Sequence, residues 1–150
     1  MAAGLSIHEK DFNAFSDAAA LQLERLYPGA DFSGAILTDG DLPPSSLSLP
    51  FARLLREGGP WGAGFPEPVF TGNFSVLEQR TVGENHLKLR VRATDQMPGN
   101  SPLLDAIAFN QAGVALRGTV QLTYRLDVNE YRGIESAQLI VEQIVSIATN

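Results

Sequence analysis

The sequence contains no cysteine, and only two of its 150 residues are histidine. The absence of cysteine excludes disulfide cross-links and thiolate metal sites, and it is compatible with a cytoplasmic location. No apolar run approaches the roughly 18 residues that a membrane-spanning helix requires, and the first residues lack the basic start and apolar core of a secretory signal. From these absences we expect a cytoplasmic protein with no membrane association.

Positive charge is also scarce, because 11 lysines and arginines face 17 aspartates and glutamates, for a formal net charge of −6. Any contact with nucleic acid must therefore come from a local patch, and it must weaken as the salt concentration rises. The hydrophobic fraction of 44% is too high for a disordered chain, and 150 residues are enough for one domain with a sizeable core.

Motifs that would supply catalysis are missing as well. His8 and His86 have no acidic partner at metal-ligand spacing, and Asp39-Gly40-Asp41 is more typical of a solvated turn than of a metal site. The sequence has no phosphate-binding P-loop, no Gly-x-Ser-x-Gly elbow and no cysteine nucleophile. We expect no catalytic residue, no metal site and no cofactor in this chain.

The beginning of the chain is predicted to be helical. A capping-box signature at Ser6 and Glu9 precedes apolar residues at helical spacing, which predicts a helix over about residues 7–27. Residues 32–38 are typical of a short strand, and a second helix is predicted over residues 48–57.

The second helix and the segment after it are expected to join two parts of the chain. Phe51, Leu54 and Leu55 are predicted to face inward from the helix. Residues 59–68 interleave glycine and proline with aromatic side chains, which indicates irregular backbone and a hinge.

Five runs rich in valine, isoleucine, leucine and phenylalanine follow, separated by turn signals. They predict strands over residues 69–80, 86–93, 103–109, 119–128 and 136–147. Five successive strands without a helical crossover favour a small barrel, and a five-stranded Greek-key barrel is the OB-fold, whose ligand face includes its second and third strands. The predicted fold is therefore mainly β: a five-stranded, OB-fold-like barrel preceded by two helices and a short strand.

The second predicted strand carries a basic stripe. Side chains alternate between the faces of a strand, so one face is apolar and the other holds His86, Lys88, Arg90 and Arg92. Residues 80–92 contain four of the eleven lysines and arginines. Such a stripe either binds the phosphates of a nucleic acid or is the ordinary solvated face of a half-buried strand.

Aromatic side chains provide a second set of candidates, because single strands are held by a positive groove and by flat side chains on which bases stack. Tyr131 and Arg132 fall between the last two predicted strands, at the tip of a hairpin. A plain hairpin turn with Gly133 at positive φ explains the same residues. Trp61 and Phe65 are candidates either for stacking or for packing between domains.

Several motifs of the chain occur in the order of a known family. They lie at residues 2–7, 59–70, 86–90, 106–110, 124–133 and 138–142. Together they resemble the carboxy-terminal part of the bacterial RecJ single-stranded-DNA exonucleases, and the resemblance extends over nearly the whole chain.

The resemblance implies a division of the chain and a role for each part. Residues 1–58 would be the end of a DHH-associated domain with a connecting helix, residues 59–68 a hinge, and residues 69–150 an OB domain that binds single-stranded DNA. In the family, catalysis belongs to an upstream DHH domain that uses Mg or Mn and removes nucleotides from a 5′ end. No motif of that domain occurs here, so the implied role is to guide and grip the strand.

The resemblance also implies partners and site residues. The expected partners are single-stranded DNA, the DHH and DHH-associated domains, and a single-stranded-DNA-binding protein. The residues at matching positions are His86, Lys88, Arg90, Tyr131 and Arg132. Two alternatives stay open: a protein-interaction module, in which Trp61 and Phe65 anchor a single-stranded-DNA-binding protein or a helicase, and an enzyme in its own right.

Overall fold

The structure, a computed structural model, describes residues 4–30, 35–94 and 101–146. The chain divides into two compact units, residues 1–36 and residues 37–150. Among the described residues, no helix has the length and the apolar character that crossing a membrane would require.

The first unit contains one α-helix, which begins later than predicted. A single 3-10 turn spans Glu9–Asp11, and α1 spans Phe12–Leu26. The backbone is still extended at His8, with φ −72° and ψ 144°, and no side chain caps either segment. The capping box expected at Ser6 is therefore not formed, because the chain enters the helical conformation only after His8. None of the residues of α1 is buried.

The short strand predicted over residues 32–38 is not formed at residues 35–38, and its first residues lie outside the described part of the chain. Gly40 adopts φ 93°, and its carbonyl accepts a hydrogen bond from the Thr71 N–H at 3.0 Å. Instead, Asp39 joins the chain to the barrel: its backbone N–H donates to the Val69 carbonyl at 2.7 Å, and its carboxylate accepts from the Val69 N–H at 3.0 Å.

The second helix, α2, spans Leu49–Glu57, as the sequence predicts. Ala52 is buried, and Phe51 and Leu55 pack against the edge of the barrel core. The prediction that Leu54 faces inward is wrong, since this side chain is 62% exposed. At 3.6 residues per turn, positions 51, 52 and 55 form one narrow stripe, and position 54 falls outside it.

A 3-10 turn spans Pro44–Ser46 before α2, and five strands follow the helix. Their bounds are β1 Phe70–Val82, β2 His86–Ala93, β3 Leu103–Ala108, β4 Thr119–Tyr131 and β5 Ile134–Ser146. They close into a barrel in the order β1-β2-β3-β5-β4, and β4 pairs with β1. All neighbours are antiparallel except β3 and β5, which are parallel. The prediction of a five-stranded OB-fold is confirmed.

Strand β2 shows the predicted alternation. Leu87, Leu89 and Val91 point into the barrel and are at most 2% exposed. Arg90 and Arg92 point outward and are exposed. The core therefore fixes which face of β2 carries the positive charge.

Aromatic packing between β1 and β4 closes the barrel. The rings of Phe74 and Tyr124 meet edge to face, with their centroids 5.5 Å apart and their planes at 83°. Gly72 leaves the space for this contact, because a Cβ atom at that position would lie 3.1 Å from the Phe74 ring. Both residues are 1% exposed, so the contact between their rings is fully buried between the two strands.

Candidate nucleic-acid interface

A groove runs across the outer face of the barrel. It consists of two adjoining cavities, of about 390 and 460 Å³, which share Arg80, Lys88 and Asp105 in their walls. Glu78 and Arg90 extend the first cavity. The second cavity continues to the β4–β5 hairpin, where its lining residues are Asn129, Tyr131, Ile134 and Ser136. We call the two cavities together the barrel groove.

The register of the strands brings these side chains together. Arg80 lies opposite Lys88 across the β1–β2 hairpin, and a register shift in β1 places Glu78 opposite Arg90. Across the β2–β3 pair, Arg90 lies opposite Asp105. Since outward positions alternate with core positions, all five side chains lie on the outer face.

Carboxylates already pair with the two cations at the centre of the groove. Lys88 Nζ lies 2.7 Å from a carboxylate oxygen of Asp105. Arg90 lies 3.5 Å from Glu78 and 3.9 Å from Asp105. The Arg90–Glu78 pair is half-exposed, so water and salt screen it and it contributes little to the stability of the fold, whereas Lys88 and Asp105 are more sheltered.

The balance of charge on this face is nevertheless positive. Three cations of the groove stand against two carboxylates, which leaves one formal positive charge on a protein whose net charge is −6. The cations are Arg80, Lys88 and Arg90, the carboxylates are Glu78 and Asp105, and Arg92 adds a further cation on the same face of β2. The groove is therefore a local positive patch on an acidic chain.

The β4–β5 hairpin places an aromatic ring at the end of the groove. Tyr131 and Ile134 lie opposite each other, and Arg132 and Gly133 form the two-residue turn with φ 53° and 76°. Positive φ at both turn residues is typical of a type I′ hairpin, and the sequence predicts the hairpin and the positive φ of Gly133. Arg132 Cζ lies 5.2 Å from the centroid of the Tyr131 ring. The ring is stacked against a cation and is still 64% exposed.

Three of the predicted basic residues do not line the groove: Arg132 in the hairpin turn, His86 and Arg92. His86 Nδ1 accepts a hydrogen bond from the backbone N–H of Asn110 at 3.2 Å, and its ring meets Phe109 edge on at 5.1 Å. These contacts hold the turn that follows β3. Arg92 is exposed on the outer face of β2, but it lies beyond the residues that form the two cavities.

Trp61 and Phe65 pack with each other near the end of α2. Their rings stack with centroids 4.8 Å apart, and Trp61 Nε1 donates to the Leu55 carbonyl at 3.0 Å. Gly62 and Phe65 exchange two backbone hydrogen bonds, of 2.8 and 3.0 Å. The predicted hinge is therefore a small turn fixed to the C-terminal end of α2, and neither aromatic side chain lines the barrel groove.

Ion pairs hold α2 on the barrel. Arg53 pairs with Glu135 next to the hairpin, and Arg56 pairs with Asp127 on β4 at 2.7 Å. Both arginines are thus engaged in contacts that attach the helix. Neither of them is a candidate for binding phosphate.

Arg125 has a similar attaching role. Its guanidinium donates to Glu67 and, at 2.8 Å, to Glu142. The hydrogen bond with Glu67, and then the one with Glu142, raise the pKa of Arg125 despite its partial burial. This arginine therefore stays charged and ties the segment before β1 to β4 and β5.

Most residues that line the groove are not among the predicted site residues, and its polar ones include Arg80, Asp105, Asn129 and Ser136. Counting across the turn at residues 83–85 would have placed Arg80 opposite Lys88. Counting back from the hairpin tip would have paired Asn129 with Ser136. No sequence signal identifies Asp105, because a long connection between β2 and β3 leaves their register undetermined.

A closed five-stranded barrel with this strand order and a groove on its outer face defines an OB-fold domain. The family model described as the RecJ OB domain matches residues 38–143. The chain belongs to the RecJ OB domain family, and the resemblance seen in the sequence is confirmed.

Relatives of known activity match almost the whole chain. The single-stranded-DNA-specific exonuclease RecJ of Escherichia coli K12 is 46% identical over 96% of this chain and 25% of its own length. The protein of the same name from Dickeya dadantii is 43% identical over the same shares. This chain therefore spans about a quarter of the length of the curated relatives it matches.

A solved structure of a RecJ protein also matches almost the whole chain. The crystal structure of RecJ from Thermus thermophilus in complex with Mg²⁺ matches 96% of this chain and 21% of its own, with 25% identity and a TM-score of 0.59. Within the described part of this chain, no three histidine, aspartate or glutamate side chains are grouped in a way that could hold a metal ion.

Proposed function

We propose that this chain is the single-stranded-DNA-binding OB domain of a RecJ-like 5′-to-3′ exonuclease. In this role the barrel groove grips the strand and guides it toward a catalytic domain elsewhere in the protein. One observation carries the proposal: a single groove joins the cationic wall formed by Arg80, Lys88 and Arg90 to the exposed ring of Tyr131.

Backbone phosphates would bind at the cationic wall. When a phosphate replaces a carboxylate or a counterion beside Lys88 or Arg90, condensed cations leave the DNA, and the affinity falls as salt is added. Arg80, which makes no ion pair among the described residues, adds a third cation between the two cavities. Arg92 would extend the track along β2.

A base would stack on Tyr131 at the hairpin end. The Arg132 guanidinium lies over the ring, so a base on the opposite side would complete a cation, ring and base stack. Stacking of this kind tolerates every base, because each has a π face, and OB-folds bind about 4–16 nucleotides in this way. Base sequence is therefore expected to matter little.

The remaining roles belong to the rest of the protein. The catalytic step would take place in a DHH domain with Mg or Mn, as the Mg²⁺ and Mn²⁺ complexes of the Thermus thermophilus relative suggest. The division into residues 1–58, 59–68 and 69–150 stays a prediction, as do a cytoplasmic location and a single-stranded-DNA-binding protein as partner. A partner-docking role for Trp61 and Phe65 is not favoured, because their rings pack on each other.

Replacing Arg90 by alanine tests the cationic wall. The Arg90→Ala variant is expected to bind all single-stranded sequences more weakly, and the slope of log affinity against log salt should decrease by about one unit. Arg25→Ala is the matched control, because Arg25 lies on α1 in the other compact unit. Fluorescence anisotropy with a labelled oligonucleotide measures both quantities. A slope equal to that of the control would count against the proposal.

A further inference from the structure

Asp105 occupies the centre of the barrel groove. Its carboxylate lies 2.7 Å from Lys88 and 3.9 Å from Arg90, and it lines both cavities. The Lys88 side chain is only 22% exposed, so it is the most sheltered cation of the groove. The position where a phosphate would be bound best is thus already occupied by an anion of the protein itself.

The Asp105 carboxylate adds no new connection between elements of the fold. Arg53 and Arg56 connect α2 to strands that are distant in sequence. In contrast, Asp105 joins β3 to β2, and the ladder of backbone hydrogen bonds between these strands already runs from residue 87 to residue 92. The pairing of β2 with β3 is therefore established without the Lys88–Asp105 ion pair. The placement of Asp105 therefore suggests a role in binding.

We propose that Asp105 is an internal competitor for phosphate, so that the groove accepts a DNA strand and rejects isolated phosphates and mononucleotides. This inference rests on the proposed function and adds the class of ligand that the groove excludes. An exonuclease releases mononucleotides, so such a device would keep the groove from being blocked by product.

The selectivity follows from the number of contacts that each ligand brings. The Asp105 carboxylate is tethered beside Lys88, and a tethered group acts at an effective concentration in the millimolar range or above. A single phosphate that displaces it exchanges one anion for another and gains little. A strand supplies several linked phosphates and a base for Tyr131, so it can outcompete the carboxylate.

The Asp105→Asn variant tests this inference, because it keeps the shape of the side chain and removes its charge. Its affinity for an oligodeoxythymidylate of about 12 nucleotides should rise about fivefold, with a salt slope about one unit steeper. Thymidine 5′-monophosphate should compete poorly with the strand on the wild-type chain, and at least fivefold better on the variant.

A matched control separates a local effect from a change in net charge. Glu142→Gln also removes one negative charge from the barrel, but Glu142 pairs with Arg125 and lines neither cavity of the groove. The Glu142→Gln variant should bind the oligodeoxythymidylate with the affinity of the wild type. Glu78→Gln is a second test, which releases Arg90 and should raise the affinity about twofold. Circular dichroism melting curves verify that each variant is folded.

The outcomes distinguish this inference from the proposed function. If the wild-type chain binds the strand through Lys88 and Asp105→Asn binds no better than Glu142→Gln, only the inference is overturned. Weaker binding by Asp105→Asn would also overturn it, since Asp105 would then position Lys88. Failure of every variant to bind at low salt would overturn both proposals. Binding by Asp105→Asn and not by the wild type would overturn both proposals, because the strand would then fail to displace the carboxylate and the wild-type groove would not hold DNA.

Discussion

Replacing Tyr131 by alanine is expected to weaken binding of single-stranded DNA by about 5-fold to 150-fold, since base stacking on an aromatic ring contributes about 1–3 kcal/mol per base. The ring is 64% exposed at the end of the barrel groove and carries the Arg132 guanidinium on one side. Fluorescence anisotropy of a labelled oligonucleotide, titrated with the wild type and the variant at one salt concentration, measures the difference.

Tyr131→Phe is the matched control, because it removes the hydroxyl and keeps the ring. It should bind within about twofold of the wild type. The hairpin should keep its fold in both variants, because the turn depends on Arg132 and Gly133 at positive φ. If Tyr131→Ala binds as well as Tyr131→Phe, bases do not stack at this hairpin, and only the cationic wall remains as a contact.

Replacing Phe74 by alanine is expected to lower the free energy of unfolding by about 3–5 kcal/mol, the range measured for large aromatic residues in protein cores. Phe74 is 1% exposed and packs edge to face on Tyr124 between β1 and β4. Gly72 supplies no side chain that could fill the resulting cavity. Urea denaturation followed by circular dichroism measures the change in the free energy of unfolding. The comparison is valid when the dependence of this free energy on urea concentration is the same for both proteins.

Phe65→Ala serves as the comparison for this core position. Phe65 is 56% exposed and stacks only on Trp61 among the aromatic contacts of the described residues. Replacing Phe65 should lower the free energy of unfolding by about 1 kcal/mol, the typical contribution of an aromatic pair. Equal losses of stability for the two variants would show that the Phe74 and Tyr124 contact does not close the barrel.

The barrel was predictable because the pattern of apolar residues agrees with its strands. Alternation from Leu87 to Val91 fixed the inward face of β2, and Arg132-Gly133 marked the last hairpin. The helical beginning was harder to predict, because local signals compete there. Ser6 and Glu9 are spaced as a capping box, yet the chain is still extended at His8. Composition alone does not show where the backbone first becomes helical.

The candidate site was predicted only in part, because register determines which side chains meet. The sequence identified Lys88, Arg90 and Tyr131, and the fold brings these three to one groove. Trp61 has an aromatic ring suited to stacking. However, its Nε1–H donates to the Leu55 carbonyl, which holds the ring against the end of α2. Asp105 lies in the groove because of the register between β2 and β3. The long connection between these strands leaves that register undetermined by the sequence.

The most direct test of the proposed function is the salt dependence of single-strand binding by the wild-type chain. We would titrate a labelled oligonucleotide at two salt concentrations by fluorescence anisotropy, with unlabelled single-stranded and duplex DNA as competitors. The barrel groove predicts binding at low salt that weakens as salt rises, and displacement by single strands at lower concentrations than by duplex. Absence of binding at low salt, or equal displacement by duplex DNA, would contradict a strand-guiding role for this chain.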